Sequence, residues 1–430
     1  MNTPTAATPL LIVCGWNDSG VAAATSALLS DHRNGTQVLV HHDLSVLDEG
    51  LIIERVCWPV GLGGSTERTI HLEHGCVSCT LRESVLPLLR RLGRHPRVGR
   101  IVLRLDSRLE PAAVCSALDW VLVPNPGDDI GSVVGGEDVE VQAVVTVVDV
   151  GTWWVDVSGA QTLAAVARAA APEDERTVAQ VVAGQTEFAD VLVLTGSPAW
   201  PWDRIRLEAA LARLSPSAVR CEIAEVARAV AGVSSTARRG AVDDPHSALL
   251  RGMPPLEPEC GLALVEFAAS RPFHPERLHE AVDVLLGGVL RSRGRIWLAS
   301  QPDTVLWLES AGEALCIDRV GPWLAAMTDD DPAWADVPPE RQAMASLRWG
   351  PVYGDRHSEI VVLVHDADPA HIRAVLEAAL LTDVELAAGE RAWRRWADPF
   401  GERHHDPCDD VIPAPPGISA RTSAAEDGPA

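Results

Sequence analysis

The chain contains no lysine: all 36 of its basic residues are arginines. That absence removes lysine chemistry outright, including the ammonium that an ordinary nucleotide loop places on a phosphate. The chain is also short of positive charge as a whole, with 60 acidic residues and a formal net charge of −24. Such a balance argues against a protein that works by gripping a phosphate backbone, so no sequence-specific nucleic acid is expected and any RNA contact must be local or borrowed. Long apolar runs are missing too. None reaches the ~18 residues of a membrane span, and Met1 to Pro9 lacks a charged region followed by an apolar core. A cytoplasmic protein without a membrane partner is expected. Nine scattered cysteines, an odd number, do not make a disulfide framework, and most are expected as small buried residues.

What is present is a large apolar fraction, 47% of 430 residues, enough to bury the cores of two or more domains. Only Cys76 and Cys79 are closely spaced, in His74-Gly75-Cys76-Val77-Ser78-Cys79-Thr80-Leu81-Arg82. Two thiolates three residues apart, introduced by a glycine, have the spacing of half a tetrahedral zinc site. A strand is expected to deliver this turn over Thr69 to Glu73, with a helix following from about Leu81 to Leu92. A second apolar segment, Gln37 to Val40, runs into His41-His42-Asp43, where adjacent imidazoles are either metal ligands or solvated loop histidines. His404, His405 and Cys408 near the end form a weaker metal candidate against an exposed polar tail.

Near the start, the apolar run Pro9 to Cys14 reads as a strand covered on both faces, turned by Gly15 to Gly20 into an alanine-rich helix. Gly15-x4-Gly20 has the spacing of a phosphate-binding loop, yet Val21 and Ala22 stand where lysine and Ser or Thr are needed. It is either a degenerate nucleotide site or a plain strand-to-helix turn. Strands at Arg100 to Leu105, Val141 to Asp149 and Asp190 to Leu194 alternate with helices to about residue 230, which predicts a doubly wound α/β domain over 9–232. Residues 233–259 read as a linker, 260–399 as a smaller α+β domain, and 400–430 as a polar tail. Arg82, Arg90, Arg91, Arg94, Arg97, Arg100, Arg104 and Arg108 form a local positive island, open to an acidic partner or RNA phosphate, or else a solvated face paired with surplus acids.

From about residue 9 to 400 the chain resembles the CobW-type branch of the P-loop GTPases, the metallochaperone-like group of CobW, HypB and UreG. The resemblance rests on the strand with Gly15 to Gly20, on Gly75 to Arg82, on Val145 to Asp149, and in the second domain on Arg291 to Ala299, Gly354-Asp355-Arg356 and Leu380 to Asp383. It implies a P-loop-NTPase-like, mostly parallel sheet followed by a CobW C-terminal-type domain. The departures are systematic. Gly20-Val21-Ala22 replaces Gly-Lys-Thr, Arg104 to Ser107 replaces Glu-Thr-x-Gly, and Thr195 to Pro198 replaces the guanine-reading Asn-Lys-x-Asp, so GTP hydrolysis is expected to be absent. The middle cysteine of the family's metal element is Ser78, and His41-His42 align approximately with its Asn-Glu, so zinc on Cys76, Cys79 and His42 or His41 is the expected cofactor. Within the family the chain is most similar to actinobacterial proteins that recruit a ribosome hibernation factor. That implies a zinc-responsive adaptor whose partners are a hibernation-promoting factor and the ribosome. A zinc metallochaperone with residual GTP binding and a thiol redox protein are the alternatives.

Overall fold

The computed structural model describes residues 7–31, 35–124, 132–171, 174–328 and 330–401. The candidates His404, His405 and Cys408 therefore lie outside the described residues. The first domain is built on an eight-stranded sheet whose strands, in chain order, are β1 (Thr8–Gly15), β2 (Gln37–Asp43), β3 (Leu51–Cys57), β4 (Ser65–His71), β5 (Arg100–Arg104), β8 (Val139–Asp149), β9 (Val191–Thr195) and β10 (Val219–Glu222), with β6 (Leu122–Pro124) and β7 (Ser132–Val134) making a separate hairpin. Their order across the sheet is β10-β9-β8-β1-β5-β2-β3-β4. β1 sits centrally, parallel to both β5 and β8.

Strand periodicity sends Leu10, Ile12 and Cys14 to one face of this sheet and Leu11 and Val13 to the other. The second set packs with Val21, Ala24 and Leu28 of helix α1 (Asp18–Leu29). The first packs with Cys79, Leu81, Val85 and Leu89, from α2 (Val77–Thr80), the turn that follows it, and α3 (Leu86–Gly93). Both faces are covered, which is why β1 and β8 read as near-continuous apolar runs.

Two local expectations change. The helix starts at Val77 rather than near Leu81, so the cysteines lie at its N-terminus and not in a turn before it. Between α2 and α3 the backbone widens into a π-turn over Leu81–Val85. Pro87 supplies the cause: it has no N–H to donate one turn back and its ring would crowd that carbonyl. His41 and His42 also lie inside β2, where they face Arg55 and Glu54 of the antiparallel β3. The expected strand before the cysteines is β4, which ends at His71 and is an exposed edge.

Helices α4 (Pro111–Trp120), α5 (Trp153–Ser158), α6 (Val178–Glu187), α7 (Pro201–Leu214) and α8 (Val226–Ala231) complete the first domain. In the second, β11 (Ala263–Ala269), β12 (Val289–Trp297), β13 (Thr304–Ala311), β14 (Ala314–Pro322) and β15 (Ser358–Val364) form an antiparallel sheet ordered β11-β15-β12-β13-β14. Helices α9 (Pro275–Ala281) and α11 (Pro369–Ala379) bury Leu278, Ile372 and Leu376 against one face of it, while α10 (Pro339–Arg348) lies apart from that layer. Among the described residues no helix is long and apolar enough to cross a membrane.

The segment 233–259 has no helix or strand and is a strap tied to both domains. Arg239 N donates to Asp190 Oδ1 at 3.0 Å, and Arg295 donates to the carbonyls of Pro245 and Ser247 at 2.8 and 2.6 Å. The domains also meet directly: Leu262, Leu290, Ala311 and Leu363 join the apolar cluster of α6 and α7. Within this contact the Glu187 carboxylate lies 3.0 Å from the Arg291 guanidinium. Burial raises the pKa of Glu187, but Arg291 and Arg293 outweigh it and hold the carboxyl below its ordinary value. Removing one member of such a pair strands the other charge, at about 3–5 kcal/mol. Glu187→Ala should therefore lower unfolding stability by that order in urea titrations, and Glu187→Met with Arg291→Met should recover most of the loss.

Candidate functional site

The cysteine turn is fixed by a close approach. A Cβ on Gly75 would sit 2.2 Å from the carbonyl oxygen of Leu47, so only glycine lets the chain pass the β2–β3 connection here. Cys76 then caps the helix, with its Sγ accepting from the N–H of Cys79 at 3.4 Å while its carbonyl accepts from the hydroxyl of Thr80 at 2.9 Å. Cys79 is buried and Cys76 half-buried. The Nδ1 of His74 lies 3.7 Å from Cys79 Sγ, and the Arg82 guanidinium approaches the same sulfur at 3.7 Å. Arg82 is also 3.3 Å from Glu83 and 3.7 Å from Glu73. Burial and the adjacent Cys76 push the Cys79 thiol up to about 12. Among the described residues no group of three or more His, Cys, Asp or Glu side chains is placed to hold a metal ion as the side chains stand. The donor chemistry nevertheless fits a thiophilic divalent cation: two sulfurs at a positive helix end, with an exposed imidazole in reach of one.

The two predicted histidines are not brought to these sulfurs. His42, 1% exposed, places Nε2 3.0 Å from the hydroxyl of Ser84, which donates to Glu54 at 3.2 Å. Glu54 also pairs with Arg68. Burial works to raise the Glu54 pKa, but His42 and Arg68 prevail and hold it at about 2. His41 falls on the opposite face of β2, as strand alternation requires, with its Nδ1 3.1 Å from the carbonyl of Arg104. The imidazole beside the cysteines is that of His74. It was legible in principle, two residues before Cys76, once the helix is known to begin at Val77.

The loop at Gly15 to Gly20 is occupied by its own side chains. Asn17 caps α1, its Oδ1 accepting from Gly20 N at 2.9 Å, and its Nδ2 donates to Asp149 at 2.6 Å. Asp18 opens the helix and is held by Arg168 at 2.9 Å. Arg168 also donates to the Trp16 carbonyl and to Ser107, both at 3.0 Å, and lies over the Trp16 ring at 4.4 Å. Sequence reasoning missed this arginine, which arrives from 150 residues away in the chain. The neighbouring cavity, about 280 Å³, is lined by Asp149 and Asp156 rather than by cations. Burial raises the Asp156 pKa. At the position of the guanine-reading element, a Cβ on Gly196 would lie 2.5 Å from Asp149 Oδ1.

Part of the arginine island is paired with carboxylates of the fold, while Arg91 and Arg97 are exposed. Arg90 is 1% exposed and bound to Asp138 at 2.9 Å and Glu137 at 3.3 Å. Arg94 pairs with Asp138 at 2.9 Å and Arg108 with Asp106 at 3.1 Å.

Residues 262–380 match the family described as the cobalamin synthesis protein CobW C-terminal domain, and residues 9–218 the CobW/HypB/UreG nucleotide-binding domain. A Mycobacterium tuberculosis protein named a zinc chaperone is 43% identical over 421 residues, covering 97% of this chain and 99% of its own. The zinc-regulated GTPase metalloprotein activator 1 of Dictyostelium discoideum is 25% identical over 411 residues, covering 91% and 84%. A solved structure, the zinc-bound YjiA GTPase from E. coli, aligns over 88% of this chain and 100% of its own with 12% identity and a TM-score of 0.35, a likeness too distant to inform the site.

The geometry separates the arginines by role. Arg90→Glu should fail to fold, or lose several kcal/mol of stability, because it places a carboxylate against Asp138 in the core, at a cost of about 3 kcal/mol or more. Arg97→Glu, on an exposed residue, should change the denaturation midpoint by less than about 0.5 kcal/mol. Equal midpoints for the two variants would contradict the burial of Arg90.

Proposed function

We propose that this chain, which belongs to the CobW/HypB/UreG family, is a zinc-handling chaperone whose cargo site is Cys76, Cys79 and His74, and which does not hydrolyse GTP. The names of the two relatives support the zinc assignment. The observation that carries the site is the convergence of His74 on the Cys79 sulfur, beside Cys76, at the first turn of a helix. Zinc binding takes two thiol protons to solvent and leaves two thiolates on the ion. Arg82 and the helix N-terminus then stabilise the negative charge that remains on the sulfurs. With Ser78 in place of a third cysteine, the shell has a position that water or a recipient's ligand can take, which suits transfer better than storage.

The nucleotide side of the proposal rests on chemistry the loop does not have. No lysine reaches the phosphates, no hydroxyl at Ala22 reaches magnesium, and Asn17 already satisfies an amide that would face an anion. A thiol redox role fits less well, because reactive cysteines have lowered pKa values and Cys79 is raised. Recruitment of a hibernation-promoting factor to the ribosome is a second reading, resting on the resemblance and on a surplus of carboxylates that suits a basic partner. The names of the relatives do not support it, and Arg90, Arg94 and Arg108 of the arginine island are paired within the fold.

Three outcomes follow. A chromophoric chelator should report about one zinc on the wild type, none on Cys76→Ser or Cys79→Ser, weakened binding on His74→Ala, and unchanged binding on a folded His42→Ala. Loss in His42→Ala with retention in His74→Ala would instead restore the sequence-based ligand set. Because two thiols must deprotonate, apparent affinity should rise by up to about a hundredfold per pH unit below their pKa. Calorimetry with GTP and magnesium should give no micromolar binding, and turnover abolished by a Gly20 substitution would return the GTPase reading.

A further inference from the structure

The second domain holds a pocket that the zinc reading does not use. It is a space of about 260 Å³, part of it open to solvent, lined among others by His246 of the strap, Arg295 of β12, Trp323 after β14, Arg341 and Arg348 of α10, and Asp355 and His357 before β15. Its chemistry is lopsided. Arg341 is 5% exposed and has no carboxylate within ion-pair distance among the described residues; its Nη2 donates to the Pro322 carbonyl at 2.6 Å and its Nε has no partner. Trp323 is 1% exposed and its indole N–H is unpartnered, as are Nε2 of His246, 8% exposed, and Nε of the fully buried Arg295. A buried guanidinium that Asp244 and Asp355 reach only beyond ion-pair distance, and buried N–H groups without acceptors, are each costly, and a native fold rarely leaves several around one space.

The carboxylates nearby make their direct contacts with other groups, and Asp244 and Asp355 act on Arg341 only from beyond ion-pair distance. Glu359 pairs with Arg295 and, at 2.8 Å, with Arg348. Asp355 accepts from the backbone N–H groups of Leu324 and Ala325 at 3.0 and 2.9 Å. Asp244 accepts from His246 N at 2.6 Å. His357 donates from Nδ1 to the Asp355 carbonyl at 2.7 Å and accepts at Nε2 from Arg348 at 3.1 Å. Burial and the surrounding arginines lower the pKa of His246 to about 2, and that of His357 to about 4, so both imidazoles are neutral at physiological pH.

We propose that this pocket binds a tetrahedral oxyanion of the phosphate class, with Arg341 as its principal counter-ion and Trp323 Nε1 and His246 Nε2 as neutral donors. The donors arrive from separate elements and surround the space, which suits a tetrahedral ion better than the single plane of a carboxylate. Arg348, at the mouth with its side chain 28% exposed, provides the entrance. Free phosphate and a phosphoryl group carried on a larger molecule share this chemistry. The site is independent of the cysteine turn, so its failure would leave the zinc reading untouched.

The test is titration of the full-length protein with inorganic phosphate, phosphoserine and acetate, followed by calorimetry and by the imidazole 15N signals of His246 and His357. Phosphate binding at millimolar concentrations or below, with the His246 signal shifting, is expected; binding of phosphoserine alone would support the site and identify a carried phosphoryl group as its source. Arg341→Gln should weaken binding by about tenfold or more, as loss of a charge-assisted hydrogen bond does. Trp323→Phe, which removes the N–H together with part of a buried ring, should weaken it in protein shown to be folded, although the thermal midpoint of the free protein falls. No binding of either phosphoryl compound, equal binding of acetate, or unchanged affinity in a folded Trp323→Phe would overturn the proposal.

Discussion

The start of one helix carries the arrangement on which the candidate site depends. Gly75 passes within contact of the Leu47 carbonyl, Cys76 caps the amide of Cys79 with sulfur, and the helix so begun is anchored further along by Ser84 to His42 and Glu54. The anchor is polar and buried, so it specifies one docking of the helix on β2 and β3 rather than a sliding apolar contact. Pro87 widens the turn between the cap and the body of the helix, which lets the cysteine end and the Ser84 end each meet its own partner. Held this way, the two sulfurs have little freedom, and the imidazole and carboxylates around them lie on the exposed side.

The other functional element of the fold has been turned inward. Where a nucleotide loop keeps its amides free and adds a lysine, here Asn17 fills one amide, Asp18 places a negative charge at the helix start, and Arg168 closes a bridge across Trp16 and Ser107. Each of these contacts stabilises the strand-to-helix turn itself. The loop is retained as support for β1 and α1, and the cysteine helix docks where β2 and β3 pair.

The sheet was legible because β1 and β8 are buried on both faces and leave an unbroken apolar run, a signal that needs no partner to be recognised. Gly15 and Gly20 were equally plain as a turn. What escaped reading depends on pairings distant in the chain. β3 and β4 alternate or are polar, and only the pairing of β3 to β2, with β4 on its far side, turns His41 and His42 from loop residues into strand residues on opposite faces. Once His42 is inside, Ser84 and Glu54 claim it, and neither is marked in the sequence as a partner. Arg90 read as surface charge because its partners, Glu137 and Asp138, lie 47 and 48 residues away in the chain. Cys76 and Cys79 were found by spacing alone, but His74 needed the true helix start.

The central claim is that the ion handled by this chain is held by the two sulfurs of the cysteine turn and by nitrogen from His74. Zinc K-edge X-ray absorption of the full-length protein loaded with one equivalent of zinc tests it most directly. The account predicts two sulfur scatterers at about 2.3 Å with the remaining positions nitrogen or oxygen at about 2.0–2.1 Å, and loss of imidazole outer-shell scattering in His74→Ala. A first shell of nitrogen and oxygen without sulfur would contradict it.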